Sequence, residues 1–284
     1  MKRILLFFVI LFSVVSSGFS QDAATLINSA NAALKAKNYT QAYTLYESAM
    51  GNLGDVKIDD AINYNIGFAA FQAKKYSAAV KYLNKAIAAK ANLPQTYELL
   101  GKAYTKLSKT KEAIDSYQKA IAAGNTDKGS LYYNSGIAAY KGKMYKEASD
   151  LFGKAVSEKY NPDKVTYLKA LAVKKTGDMS GYQKVLEDGV KNYPNNSKLK
   201  KSLANIYVEE GNSIYKKGVS VLTEANAEVK SGAMKTTDES YKNALSESKT
   251  MFASAIKVSK QAVAIDATNK NAISLINACN QMLK

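Results

Sequence analysis

Carboxylate pairs such as Asp59-Asp60 and Glu209-Glu210 are the obvious places to look for acid–base chemistry. Adjacent residues on a helix point in different directions, so such pairs read as helix caps or solvated faces rather than as a working couple. The chain has no histidine and one cysteine. That excludes a Ser-His-Asp triad, a Cys-His dyad, His-dependent metal sites, a zinc cluster and an internal disulfide. No Gly-rich phosphate loop and no Asp-rich calcium loop is present. No enzyme, cofactor or metal is therefore expected. Recognition remains. The chain holds 20 tyrosines and 8 phenylalanines, and 40 Lys+Arg against 24 Asp+Glu, a formal net charge of +16. Tyrosine offers apolar area with a polar tip, and lysine steers and pairs acidic groups.

This charge favours acidic partners or anionic surfaces. Nucleic acid is not expected: basic residues come only in short runs and no reader motif appears. Met1–Ser20 reads as an export signal. Lys2 and Arg3 supply the positive start, Ile4 to Val15 an apolar run, and Gly18-Phe19-Ser20 the small residues around a cut that leaves Gln21 first. That run is short for a bilayer span of about 20 residues. The mature chain is expected to be exported, periplasmic or secreted, with no membrane span. Cys279 shares a helix with Ile273, Ile276 and Leu283 and reads as a small packing residue.

A repeated pattern organises everything else. Gly101 and Tyr104 fall on one helix face; Ala113, Tyr117 and Ala120 fall on a second, after a polar break at Ser108–Thr110. Ala79, Leu83 and Ala86 restate the triplet 34 residues earlier, Ala148, Phe152 and Ala155 restate it 35 residues later, and Ala42, Tyr46 and Ala49 precede the second copy by 37. Small residues keep the same beat in the preceding helix: Ala30, Gly67, Gly101, Gly136, Ala170 and Ala204. A small residue there lets two helices approach, and a large one fills the next gap.

Leu100, Gly101, Tyr104, Ala113, Tyr117 and Ala120, with their equivalents, resemble the tetratricopeptide repeat. Trp is absent from the chain, Tyr97 and Tyr132 stand where the family motif opens, and a closing proline is clear only at Pro194. The resemblance covers about Ala23 to Pro194. It implies an all-α, right-handed α-solenoid of about six helical hairpins, and exported repeat proteins of Bacteroidota have a similar style. The domain plan is 1–20 signal peptide, 21–196 repeats one to five, 197–268 a sixth, elongated hairpin, and 269–284 a C-terminal capping helix. In the fifth copy Tyr182 and Gly189 replace the two alanines, which predicts looser packing there. Beyond Gly211-Asn212, Tyr215, Val219, Leu222, Ala225 and Val229 continue a helical stripe, and Tyr241, Leu245, Ser248, Phe252, Ala255 and Val263 form another. These two helices project as an antiparallel pair; the alternative is a break at Gly211 that folds back. Ile273, Ile276 and Met282 are expected to cover the last hairpin's core.

By this resemblance the first helix of each hairpin lines a concave groove. The lining candidates are Tyr64, Phe68 and Phe71 in the second copy, and Lys102, Thr105 and Lys106 in the third. The fourth adds Tyr133, Ile137 and Tyr140, the fifth Tyr167, Leu171, Lys174 and Lys175. Such a lining suits a protein or peptide that is partly apolar and partly acidic. The competing role for the aromatics is packing between hairpins. Some relatives clamp a chaperone's C-terminal carboxylate; Asn31 and Asn65 fit that pattern, while Ile27, Gln95 and Leu99 do not. The resulting expectation is a non-catalytic scaffold or adaptor in the bacterial cell envelope. A periplasmic chaperone for envelope proteins, and a binder of an envelope glycan or acidic polymer, are the alternatives.

Overall fold

A computed structural model describes residues 18–53 and 57–284; residues 1–17, most of the stretch read as an export signal, lie outside them. Among the described residues there are thirteen helices and no strand, and the fold is an all-α helical-hairpin solenoid. Backbone contacts divide the chain into two units that meet in sequence at Tyr160 and Asn161. The division falls between the fourth and fifth hairpins, where Asn161 takes a left-handed φ of 40° and Pro162 opens a new helix.

The first unit stacks four hairpins: α1 (Gly18–Lys35) with α2 (Tyr39–Gly51), α3 (Ile62–Gln72) with α4 (Tyr76–Ala88), α5 (Leu93–Lys106) with α6 (Thr110–Ala122), and α7 (Lys128–Lys141) with α8 (Tyr145–Ser157). Each hairpin closes on one small-against-large contact. A Cβ added at Gly67 would lie 2.8 Å from Leu83, one at Gly101 2.8 Å from the Tyr117 ring, and one at Gly136 2.7 Å from the Phe152 ring. Tyr117 is 2% exposed; Leu83 and Phe152 are fully buried, as are Ala113, Ala120, Ala148 and Ala155. Buried clusters join each hairpin to the next. Ile62, Ile66 and Ala69 pack with Ile27, Leu34 and Tyr46, and Leu99, Leu100 and Ala103 pack with Ala70 and Leu83.

The four turns inside these hairpins are alike. Asn38, Lys75, Lys109 and Met144 each return an N–H to a carbonyl five residues back, at 2.8–2.9 Å. The residue before each adopts a left-handed backbone: Lys37 (φ 63°), Lys74 (62°), Ser108 (59°) and Lys143 (62°). That is the helix-ending motif in which glycine is usual, because a Cβ there costs about 1–2 kcal/mol. Lysine is tolerated partly because its charge meets the negative helix end.

The second unit contains α9 (Pro162–Lys175), α10 (Met179–Asn192), α11 (Ser197–Ser231), α12 (Glu239–Ile265) and α13 (Lys270–Met282). The fifth hairpin is the loosest of the five, as expected: α9 and α10 touch less than the paired helices of the first four hairpins, although they still approach closely at Gly189. Gly189 is buried, and a Cβ there would come within 3.0 Å of Thr166 and 3.2 Å of Leu199. Helix α11 runs unbroken through Gly211. This glycine is a point of close approach: a Cβ would lie 2.7 Å from Ser259 Oγ and 3.1 Å from Leu275. Ala204, Gly211, Gly218 and Ala225, one heptad apart, are all buried on α11 and face α12, whose Ser248, Phe252, Ala255, Ser259 and Ala262 are buried. The turn after α11 is closed by Gly232 at φ 81°. Helix α13 covers this pair as expected at Met282, which packs against the cluster of Phe252, Ala255 and Cys279, while Ile276 is half-buried and Ile273 departs from the expectation. Ala272, Leu275 and Cys279 are buried, whereas Ile273 is 41% exposed. The Cys279 thiol is pushed up by burial, as befits a packing residue.

Two substitutions test this packing. Gly101→Val is expected to destabilise the protein by about 1–3 kcal/mol, because the Tyr117 ring has nowhere to go. Lys74→Gly is expected to stabilise it by about 1 kcal/mol through relief of the left-handed backbone. Urea unfolding of both variants checks the two signs.

Candidate partner-binding face

In the first unit α3 touches α5, and α5 touches α7; no comparable contact joins successive second helices. The first helices therefore lie closer together, and their shared side is the inner one. The candidate residues on it are held as follows.

On α3, Tyr64, Phe68 and Phe71 are half-buried and pack against the cluster of Ala70, Leu83, Leu99 and Leu100. Phe68 meets Tyr39 edge-on at 5.9 Å between ring centres, and Phe71 meets Tyr76 at 5.6 Å. On α7, Tyr133 lies 6.3 Å from the Phe152 ring and 5.3 Å from Tyr160; Tyr140 lies 5.4 Å from Tyr145; Ile137 is half-buried. Each of these rings spends one side on a neighbour and keeps part of its surface in water. They are wedges between helices that also line the face, rather than free-standing platforms.

Helix α5 supplies the polar centre. Lys102 forms an ion pair with Glu98, one turn earlier. The other Glu98 oxygen accepts a hydrogen bond from Asn125 Nδ2 at 3.0 Å. Thr105 donates to the Gly101 carbonyl at 2.8 Å, and its hydroxyl lies 3.4 Å from that of Tyr117. Lys106 is exposed. Glu98 and Asn125 are members of this face that sequence reasoning missed. The four-residue Glu98–Lys102 spacing was a usable signal; the approach of Asn125 from the far end of α6 was not. Asn31 accepts the Tyr46 hydroxyl at 2.5 Å, so it serves the first hairpin's core rather than a carboxylate clamp.

In the second unit, Lys198 Nζ lies 5.6 Å over the half-buried Tyr167 ring, and the exposed Lys174 lies 5.1 Å over Tyr182. Leu171 is half-buried and Lys175 exposed. Among the described residues no group of three His, Cys, Asp or Glu could hold a metal ion, and no helix is long and apolar enough to cross a membrane.

Residues 61–93 and 94–123 match the family profile of the tetratricopeptide repeat. These two stretches contain α3–α4 and α5–α6. Solved structures of similar fold include a MamA protein, with a TM-score of 0.51 at 17% identity, covering 63% of this chain and 95% of that one. A TPR protein called YrrB, described as having an unusual peptide-binding site, gives 0.49 at 18%, covering 64% and 96%. A TPR repeats protein from Bacteroides fragilis NCTC 9343 gives 0.38 at 20%, covering 92% and 99%. No curated protein matches the chain in sequence.

The hydroxyls behind the face make the stability of the first unit sensitive to alkali. Burial pushes Tyr117 up to about 12, with the Thr105 hydrogen bond acting the other way and the Glu98 charge adding to the rise. Tyr46 is raised by burial, and Tyr82 by burial and by the Glu47 carboxylate. Below pH 10 both folded and unfolded states keep these protons and the contribution is complete. As pH climbs from there towards the folded values, the unfolded chain releases protons that the folded chain retains, so stability falls. Urea midpoints measured from about pH 9 to about pH 12 are expected to drop steadily, and Tyr117→Phe is expected to flatten part of that slope.

Proposed function

We propose that this protein is a non-catalytic scaffold or adaptor that holds a partner protein along the first-helix face of its four-hairpin unit. One observation carries the reading. Successive first helices touch, so half-exposed aromatics of α3 and α7 flank a charged centre on α5 made of Glu98, Lys102 and Lys106. That arrangement suits an extended segment with apolar side chains at its ends and acidic or amide groups in its middle. The tetratricopeptide repeats over α3–α6 support the same use. The leader-like Met1–Ser20 supports an exported, envelope setting, with Gln21 as the mature N-terminus.

Crosslinking capture from the native envelope tests it. Wild type is compared with Lys102→Glu/Lys106→Glu, which leaves the core intact, with Tyr133→Ala/Tyr140→Ala, and with a deletion of Ser231–Thr237 at the α11–α12 turn. One protein captured by wild type and lost in both face variants is the expected result. Loss only in the turn deletion, with many unfolded envelope proteins captured by wild type, shows a chaperone instead. Sequencing of the envelope-fraction protein is expected to begin at Gln21.

A further inference from the structure

Antiparallel stacking puts every turn inside a hairpin of the first unit at one edge, and every turn between hairpins at the opposite edge. The two edges differ sharply in charge. The inside turns, residues 35–41, 72–78, 106–112 and 141–147, carry ten lysines and two glutamates. The connections between hairpins carry Lys57, Lys90, Lys128 and Lys159 beside Asp59, Asp60, Asp127 and Glu158, a near balance. All ten lysines of the first edge are exposed. None is in a salt bridge: the ion pairs among the described residues are Glu98–Lys102, Asp115–Lys119 and Glu239–Lys242. Three of the ten, Lys37, Lys74 and Lys143, occupy left-handed positions where glycine would be free of strain. Like charge is concentrated here, unpaired with any carboxylate and eased only at Lys109, which lies 6.0 Å over the Tyr104 ring, and partly at positions that disfavour any side chain.

We infer that this lysine edge is a docking surface for an anionic phospholipid bilayer, distinct from the first-helix face except at Lys106, which ends α5 and borders both. Consecutive turns are spaced about 10 Å apart, the packing distance of helices, so the row meets a charged plane at several points at once. The charges stand on projecting turns with no wall opposite them, which suits a plane better than an enclosed linear polymer. The rings beside these turns are half-buried, and each already has a neighbouring ring against it. Tyr39, Tyr76 and Tyr145, which follow the turns, are turned onto Phe68, Phe71 and Tyr140. The shallow depression beside Met144 and Tyr145 is lined by Lys146 together with Glu147 and Asp150, so it carries no net positive charge that would hold a single anion. Lysine is a hydrated point charge without the planar fork that grips single phosphates, so contact is diffuse and screened by salt.

The test uses two charge-matched variants of the full chain. The edge variant is Lys37→Gly/Lys74→Gly/Lys109→Gln/Lys143→Gly. The control is Lys57→Gln/Lys90→Gly/Lys128→Gln/Lys159→Gly, which removes as much charge from the opposite edge and also places glycine at two left-handed positions, 90 and 159. Sedimentation with vesicles of phosphatidylcholine containing about one-third phosphatidylglycerol is compared with pure phosphatidylcholine, which reports whatever the apolar leader contributes. Wild type is expected to bind the anionic vesicles at about 50 mM salt and to release at about 500 mM. The edge variant is expected to lose about tenfold in partitioning while melting no lower than wild type, and the control to stay within about threefold. Equal loss in both variants, no preference for anionic vesicles, or binding to soluble polygalacturonate but not to vesicles overturns the inference.

Discussion

The structure depends on a contact with no spare room: a small residue on the first helix of a hairpin pressed against a large one on the second. Gly67 on Leu83, Gly101 on Tyr117 and Gly136 on Phe152 leave no space for a methyl group. Each contact sets how closely the two helices lie and which faces they turn outward. A solenoid has no central core, so its stability comes from these hairpins and the interfaces between neighbours. Tyr117 shows how the contact serves the surface too. Its ring fills the space over Gly101, and its hydroxyl reaches Thr105 on the inner face. A change made for packing there is felt on the first-helix face.

The same economy governs the half-buried aromatics. Phe68, Phe71, Tyr133 and Tyr140 each lean on a ring of an adjacent element. An aromatic anchored on one side loses little freedom when a partner covers the other, which lowers the entropic cost of binding. The choice between packing residue and groove residue therefore dissolves for these positions. The ring is held by the first role and available for the second.

Much of this was legible in the chain. Hairpin boundaries in the first unit fall within a few residues of the periodic stripes, because Ala113, Tyr117 and Ala120 and their copies mark the buried side of each second helix. The candidate first-helix face was only half legible. Periodicity says which side of a helix is buried, and it is silent on contacts made across hairpins, such as Asn125 reaching Glu98. In the second unit the stripe from Tyr215 to Val229 said that the helix continues past Gly211-Asn212, and α11 does so. Gly211 carries the signature of a stop, yet it lies inside a helix because α12 and α13 close on it. The heptad spacing of Ala204, Gly211, Gly218 and Ala225 was the signal for that, and it reads as close helix pairing only once four such positions are taken together. Ile273 misled for a simpler reason: a large apolar side chain invites burial, but the face of α13 that is buried contains Ala272 and Cys279, which fit a close approach.

Lysine is the chain's general-purpose residue, and its placement separates structural from functional charge. Lys174 and Lys198 lie over tyrosine rings, and Lys102 and Lys119 are paired along their own helices. Each of those has a local reason. The lysines of the turns inside the first four hairpins have a weaker one. The helix-end dipole accounts for a single cation per turn, and two or three are present, with a left-handed backbone beneath one of them in three of the four turns. Solubility would be served equally by charge spread over both edges. Its confinement to one edge, while the opposite edge stays balanced, requires a reason outside the fold. A surface of opposite charge supplies that reason, and the edge it meets borders the first-helix face only at Lys106.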